Sequence, residues 1–168
     1  MDYSLLKPVS LWELRAQCLA CGHEFPSYVL PDMVYGEWLL RTCDGKEMAI
    51  LQCLDNPVFD EVRELVDGLI AREKNRKLQR LAQKRREPTL LDRVMPICCD
   101  PLGGAELTTA PPRCPLCQSA NVDRFDHDPP RGMGINLPVV TFHRWLAMRP
   151  DEREQKVAAK MRALRLEL

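Results

Sequence analysis

Cys18-Leu19-Ala20-Cys21-Gly22-His23 and, far along the chain, Cys114-Pro115-Leu116-Cys117-Gln118 are the stretches on which the fold turns. Cys-x-x-Cys is the spacing at which one tight turn aims two sulfurs at a single tetrahedral metal, and two such turns complete a closed four-thiolate site. Gly22 suits the left-handed backbone that ends a turn of this kind, and Pro115 fixes φ at the start of the other. The pattern makes Cys18, Cys21, Cys114 and Cys117 the expected ligands of one metal ion. Other readings stay open. Cys18, Cys21 and His23 with Cys43 or Cys53 would make one site, and Cys114, Cys117 and His127 a second; all four thiols could be free; or either pair could be a redox couple. The redox reading needs a thioredoxin-like βαβ setting, which neither flank supplies.

Residues 14–25 and 111–125 resemble the knuckles of the zinc-ribbon and rubredoxin-type superfamily, in which a Cys-x-x-Cys-Gly turn and a Cys-Pro-x-Cys turn share one metal. The resemblance implies a structural zinc on Cys18, Cys21, Cys114 and Cys117. Iron is accepted by the same tetrahedral thiolates. Two departures stand out: Gln118 occupies the place where glycine often follows, and residues 22–113 separate the two turns where a compact ribbon uses far fewer. Loop-closure cost grows only logarithmically with length, so an insertion of this size is permitted if it folds on its own.

The other cysteines read differently. Cys43 and Cys53 flank Asp44-Gly45 between two apolar runs, a hairpin signal over 37–54. At strand ends they are read as packing residues. Cys98-Cys99 lies in the proline-bounded Met95-Pro96-Ile97-Cys98-Cys99-Asp100-Pro101, where two small apolar side chains are the simplest reading and a vicinal redox pair or soft-metal trap the sharper one.

At 168 residues, with 45% hydrophobic and 29% charged residues, the chain is a globular sequence with one principal domain and appendages. Eight cysteines, an N-terminus without a basic, apolar leader and the lack of any run near ~18 apolar residues together lead to the expectation of a cytoplasmic protein with no membrane span. Lysine plus arginine and aspartate plus glutamate balance at 24 each, so no global field draws the molecule onto a polyanion.

The neutrality hides a local asymmetry. A helix is expected over 57–86, capped by Asn56 with Pro57 at its first position. Its first half carries an apolar stripe, whereas its second half bears Arg72, Lys74, Arg76, Lys77, Arg80, Lys84, Arg85 and Arg86. Such a stretch could neutralise phosphates or meet an acidic protein, but few aromatics accompany it for base stacking. Strands are expected at 106–109 and 121–125, and a turn-rich linker at 126–132. A helix capped by Thr141 should run through Leu146, and a final helix should start at Pro150. There Val157, Met161, Leu164 and Leu168 form a narrow stripe which, with Trp145, either packs inward or docks a partner.

The expected fold is α+β: a small antiparallel zinc-ribbon-like β core over 1–128 with a large insertion between the knuckles, followed by a helical appendage over 129–168. No glycine-rich phosphate loop, Gly-x-Ser-x-Gly or His-Glu-x-x-His occurs. The expectation is therefore a non-catalytic zinc protein that binds another protein, with nucleic acid as the alternative partner through residues 72–86.

Overall fold

The computed structural model describes residues 5–32, 34–72, 90–125 and 131–166. The fold is α+β, with antiparallel sheet and several helices, as the sequence leads one to expect. The chain divides into two compact units, one formed by residues 1–54 and 109–140 and the other by 55–108 and 141–168. The insertion between the knuckles thus supplies most of the second unit, and the C-terminal segment completes it.

The first unit is organised around β1 (Leu6–Cys18). On one edge it pairs antiparallel with β2 (Glu24–Val29), from Trp12 opposite Val29 to Gln17 opposite Glu24. The other edge is shared end to end by two strands. β7 (Arg131–Pro138) covers Leu6 to Glu13, and β6 (Val122–Phe125) covers Arg15 to Cys18. The hairpin predicted over 37–54 is present as β3 (Glu37–Thr42) and β4 (Met48–Gln52), with Gly45 at φ 73° in its turn. Val9, Leu11, Ile50 and Leu137 form the core, with Tyr28, Leu30, Leu39, Met48 and Ile135 packed against it.

Two features of this sheet depart from expectation. β1 buries Val9 and Leu11, then switches phase to bury Leu14, Ala16 and Cys18, so it has no continuous two-residue alternation for a sequence reading to find. Residues 131–138, expected to hold the end of a linker and the start of a helical appendage, are strand β7. Gly132, Gly134 and Asn136 are exposed there, while Ile135 and Leu137 pack inward. Gly132, counted with the linker, and Gly134 within the run concealed a genuine period-two pattern.

In the second unit, α1 (Pro57–Arg72) starts where predicted. Asn56 Oδ1 accepts from the amides of Val58 at 3.1 Å and Phe59 at 3.2 Å, satisfying donors that a helix start otherwise leaves unpaired. Val58, Phe59, Val62 and Val66 are buried. The predicted continuation over 73–86 lies outside the described residues. The rest of the unit comprises α2 (Leu90–Val94), a 3-10 turn (Met95–Cys98), the short β5 (Leu107–Thr108), α3 (His143–Leu146) and α4 (Pro150–Leu166).

The capping of α3 corrects the sequence reading. Thr141 does not cap it; its hydroxyl donates to Asp100 Oδ2 at 2.7 Å. Asp100 is the cap, reaching from a distant loop to accept from the amides of His143 at 2.8 Å and Arg144 at 2.9 Å. Glu61 makes a comparable long-range link: it accepts from Trp145 Nε1 at 2.9 Å and takes both oxygens to Arg153 Nη1 at 3.0 Å. Trp145, Val157, Met161 and Leu164 are all buried. These four residues are core and not a docking surface, and Leu168 lies outside the described residues. Among the described residues, no helix is long and apolar enough to cross a membrane.

Candidate metal centre

The two knuckles sit where β1 ends and just before β6 begins. Cys18 is the last residue of β1 and lies opposite Val122 in the ladder, so pairing of these strands brings the cysteine turns together. A backbone bond from Leu19 N to Asn121 O, at 2.9 Å, continues the link beyond the ladder.

Each knuckle repeats the same backbone plan. In the first, Gly22 N donates to Cys18 O at 2.8 Å and Cys18 N to His23 O at 2.9 Å; in the second, Gln118 N donates to Cys114 O and Cys114 N to Ser119 O, both at 2.9 Å. Gly22 has φ 74° and Gln118 φ 61°. The departure at Gln118 is therefore one of residue type only, since the backbone adopts the left-handed turn that glycine would take. Arg113 Nη1 donates to Gln118 O at 3.2 Å, supporting the turn from outside.

The four sulfurs all lie within 4.8 Å of one another. Across the knuckles, Cys18 Sγ and Cys117 Sγ are 3.5 Å apart, and Cys21 Sγ and Cys114 Sγ are 3.6 Å apart. A regular tetrahedron with metal–sulfur bonds of ~2.3 Å has edges of about 3.8 Å, and the two cross-knuckle separations lie close to that. Cys18 and Cys114 are buried, whereas Cys21 and Cys117 are exposed. This is the grouping expected from spacing. The two-site alternative is not what folds: among the described residues Cys43 and Cys53 join no such cluster, and His127 lies outside them.

The electrostatics of the cluster favour a cation. Burial works against the Cys18 thiolate, but the amides of Ala20 and Cys21 and the thiols of Cys117 and Cys21 donate to it, bringing it down to about 6. The His23 amide favours a Cys21 thiolate, yet Cys117, desolvation, Cys18 and Cys114 outweigh it and push Cys21 up to about 12. Cys117 is raised as well: the Ser119 amide and Cys21 favour its thiolate, but Cys18, desolvation and Cys114 prevail. Ionisation of Cys18 thus stands against ionisation of Cys21 and Cys117, because like charges this close cannot coexist without a counter-ion. A divalent cation removes that obstacle and allows four thiolates together.

The remaining expected sites are less compact. Cys98 and Cys99 are buried, and Cys98 Sγ donates to Met95 O at 2.9 Å. Neighbouring Cys99 and burial push the Cys98 thiol far up, which suits an inert packing residue. Arg72 is exposed and pairs with Glu154 at 2.8 Å, while Lys74, Arg76, Lys77, Arg80, Lys84, Arg85 and Arg86 lie outside the described residues. No family model matches the chain, and neither does any curated protein or solved structure.

Proposed function

We propose that the chain is a metal-stapled protein-interaction module, non-catalytic, with zinc as its ion and iron as the substitute that the same ligands accept. The convergence of four cysteine sulfurs from two matching knuckles carries this reading. A four-thiolate ion has no open position for water or substrate, which is the feature that zinc catalysis depends on. Its role is then to lock the two ends of a long insertion together.

The partner is proposed to be a protein. With Trp145 and the α4 stripe buried, the support comes from the knuckle tips, where Leu19 is 58% exposed and Leu116 69% exposed. Each leucine lies between the two cysteines of its knuckle, on a rigid turn, so apolar contact with a partner would lose little side-chain or backbone freedom. Affinity purification from a native lysate, with nuclease treatment and moderate salt, tests this. One stoichiometric protein should be retained, and Leu19→Asp with Leu116→Asp should release it while metal content stays unchanged. A DNA or RNA complex that weakens steeply with salt, and is lost on charge reversal at Arg76, Lys77, Arg80 and Lys84, would contradict it.

A further inference from the structure

We infer that the four-cysteine cluster is a site of reversible oxidation by hydroperoxides, entered through the exposed Cys21 and Cys117 and closing as two cross-knuckle disulfides, Cys21–Cys114 and Cys18–Cys117. The inference rests on the metal reading above for the expulsion of the ion, and on the sulfur geometry alone for the pairing.

Three observations carry it. Exposure is divided within each knuckle: the first cysteine is buried and the second faces solvent. A small oxidant therefore meets Cys21 and Cys117 first. Each exposed sulfur has a buried partner from the opposite knuckle beside it, Cys114 at 3.6 Å and Cys18 at 3.5 Å. Among the other thiols, Cys98 and Cys99 are both buried, and Cys43 and Cys53 lie at opposite ends of the β3–β4 hairpin.

The chemistry balances with hydrogen peroxide as the oxidant. A lone pair of the exposed sulfur attacks one peroxide oxygen; the O–O bond breaks, giving a sulfenic acid and hydroxide, which takes up a proton to become water. The buried thiolate of the opposite knuckle then attacks the sulfenic sulfur, forming the S–S bond and releasing a second hydroxide, again protonated to water. Two thiolates, one peroxide and two protons thus give one disulfide and two waters, with two electrons passing from sulfur to oxygen. After two such rounds no thiolate remains, and zinc leaves as an unreduced divalent cation.

The pairing has a structural consequence. Disulfides within each knuckle would leave only the β1–β6 ladder and the Leu19 N–Asn121 O bond to hold residues 18–21 near 114–117 once the ion departed. Cross-knuckle bonds replace the ion as the tie between them, so the oxidised, metal-free β unit stays closed and can be restored by a dithiol and zinc.

The experiment uses the full chain carrying Cys43→Ser and Cys53→Ser, with metal content measured first, and treats it with a modest excess of hydrogen peroxide. Chelator-detected zinc should be released in step with disulfide formation. Peptide mapping should find Cys21 joined to Cys114 and Cys18 to Cys117, and dithiothreitol with added zinc should reverse both changes. Bonds within the knuckles, irreversible sulfinic acids, or zinc retained under peroxide that oxidises Cys43 in the unsubstituted chain would overturn the inference. If the purified protein holds no metal, the metal reading fails; cross-knuckle bonds formed in that protein would still uphold the pairing, and their absence would refute it.

Discussion

Gly22 and Gln118 occupy equivalent places in the two knuckles, each with a left-handed backbone and each returning its amide to the carbonyl of the first cysteine, at 2.8 Å and 2.9 Å. The metal centre is thus built from one local device used twice, once with the residue suited to it and once without. A non-glycine residue in that region bears a cost of about 1 kcal/mol.

Gln118→Gly should therefore raise stability, by about 0.5 to 1 kcal/mol after allowance for the greater freedom of glycine in the unfolded chain. Gly22→Ala should lower it by about 1 kcal/mol, since space is open around Gly22 and only the backbone opposes a side chain there. Denaturant unfolding of the metal-loaded protein measures both. A loss of stability in Gln118→Gly, or a gain in Gly22→Ala, would contradict the equivalence of the turns.

Replacing Cys114 by serine should abolish stoichiometric metal and cost ~3 kcal/mol or more, because an ion shared by residues 18–21 and 114–117 contributes its binding energy to the fold. Replacing the buried Cys98 by alanine should leave metal content unchanged. Elemental analysis beside thermal melting separates the two variants.

The Asp100 cap predicts a dependence on acid. Partial burial opposes its carboxylate, but the Arg144 amide, Thr141 hydroxyl and the amide and ring of His143 outweigh it and hold the carboxyl below the usual carboxylate range. A lowered folded value means that the cap's contribution is complete above the unfolded value of about 3.9 and is lost as pH falls through the lower folded value. Melting temperature in the wild type should drop on acidification below about pH 4. Asp100→Asn should show a smaller drop across that window, from a baseline reduced by about 1 kcal/mol.

Glu61→Gln should destabilise the second unit by ~2 to 3 kcal/mol. The Arg153 side chain is 16% exposed and would lose its carboxylate partner, while Trp145 Nε1 would keep an amide oxygen within reach. Glu61→Gln paired with Arg153→Leu should recover part of the loss in a double-mutant cycle, because the orphaned charge is then gone.

Much of this arrangement is legible in the sequence where the signal is local. Asn56-Pro57 marks the start of α1, Asp44-Gly45 marks the hairpin turn, and the two Cys-x-x-Cys motifs mark the knuckles, each because a few adjacent residues dictate a backbone. What escaped a sequence reading is set by distant partners. β1 buries Val9 and Leu11 and then Leu14, Ala16 and Cys18, changing phase where its edge partner changes from β7 to β6, and β7 is a strand only because β1 pairs with it over eight positions. Asp100 caps a helix more than forty residues away, and Trp145 is buried against elements that periodicity alone does not identify.

The central claim is a four-thiolate ion shared by the two knuckles. X-ray absorption at the metal edge of protein purified without chelators, with elemental analysis of the same sample, tests it most directly. The account predicts one zinc or iron per chain with a first shell of four sulfurs at about 2.3 Å. A metal-free protein, or a shell containing nitrogen or oxygen ligands in place of any of the four sulfurs, would contradict it.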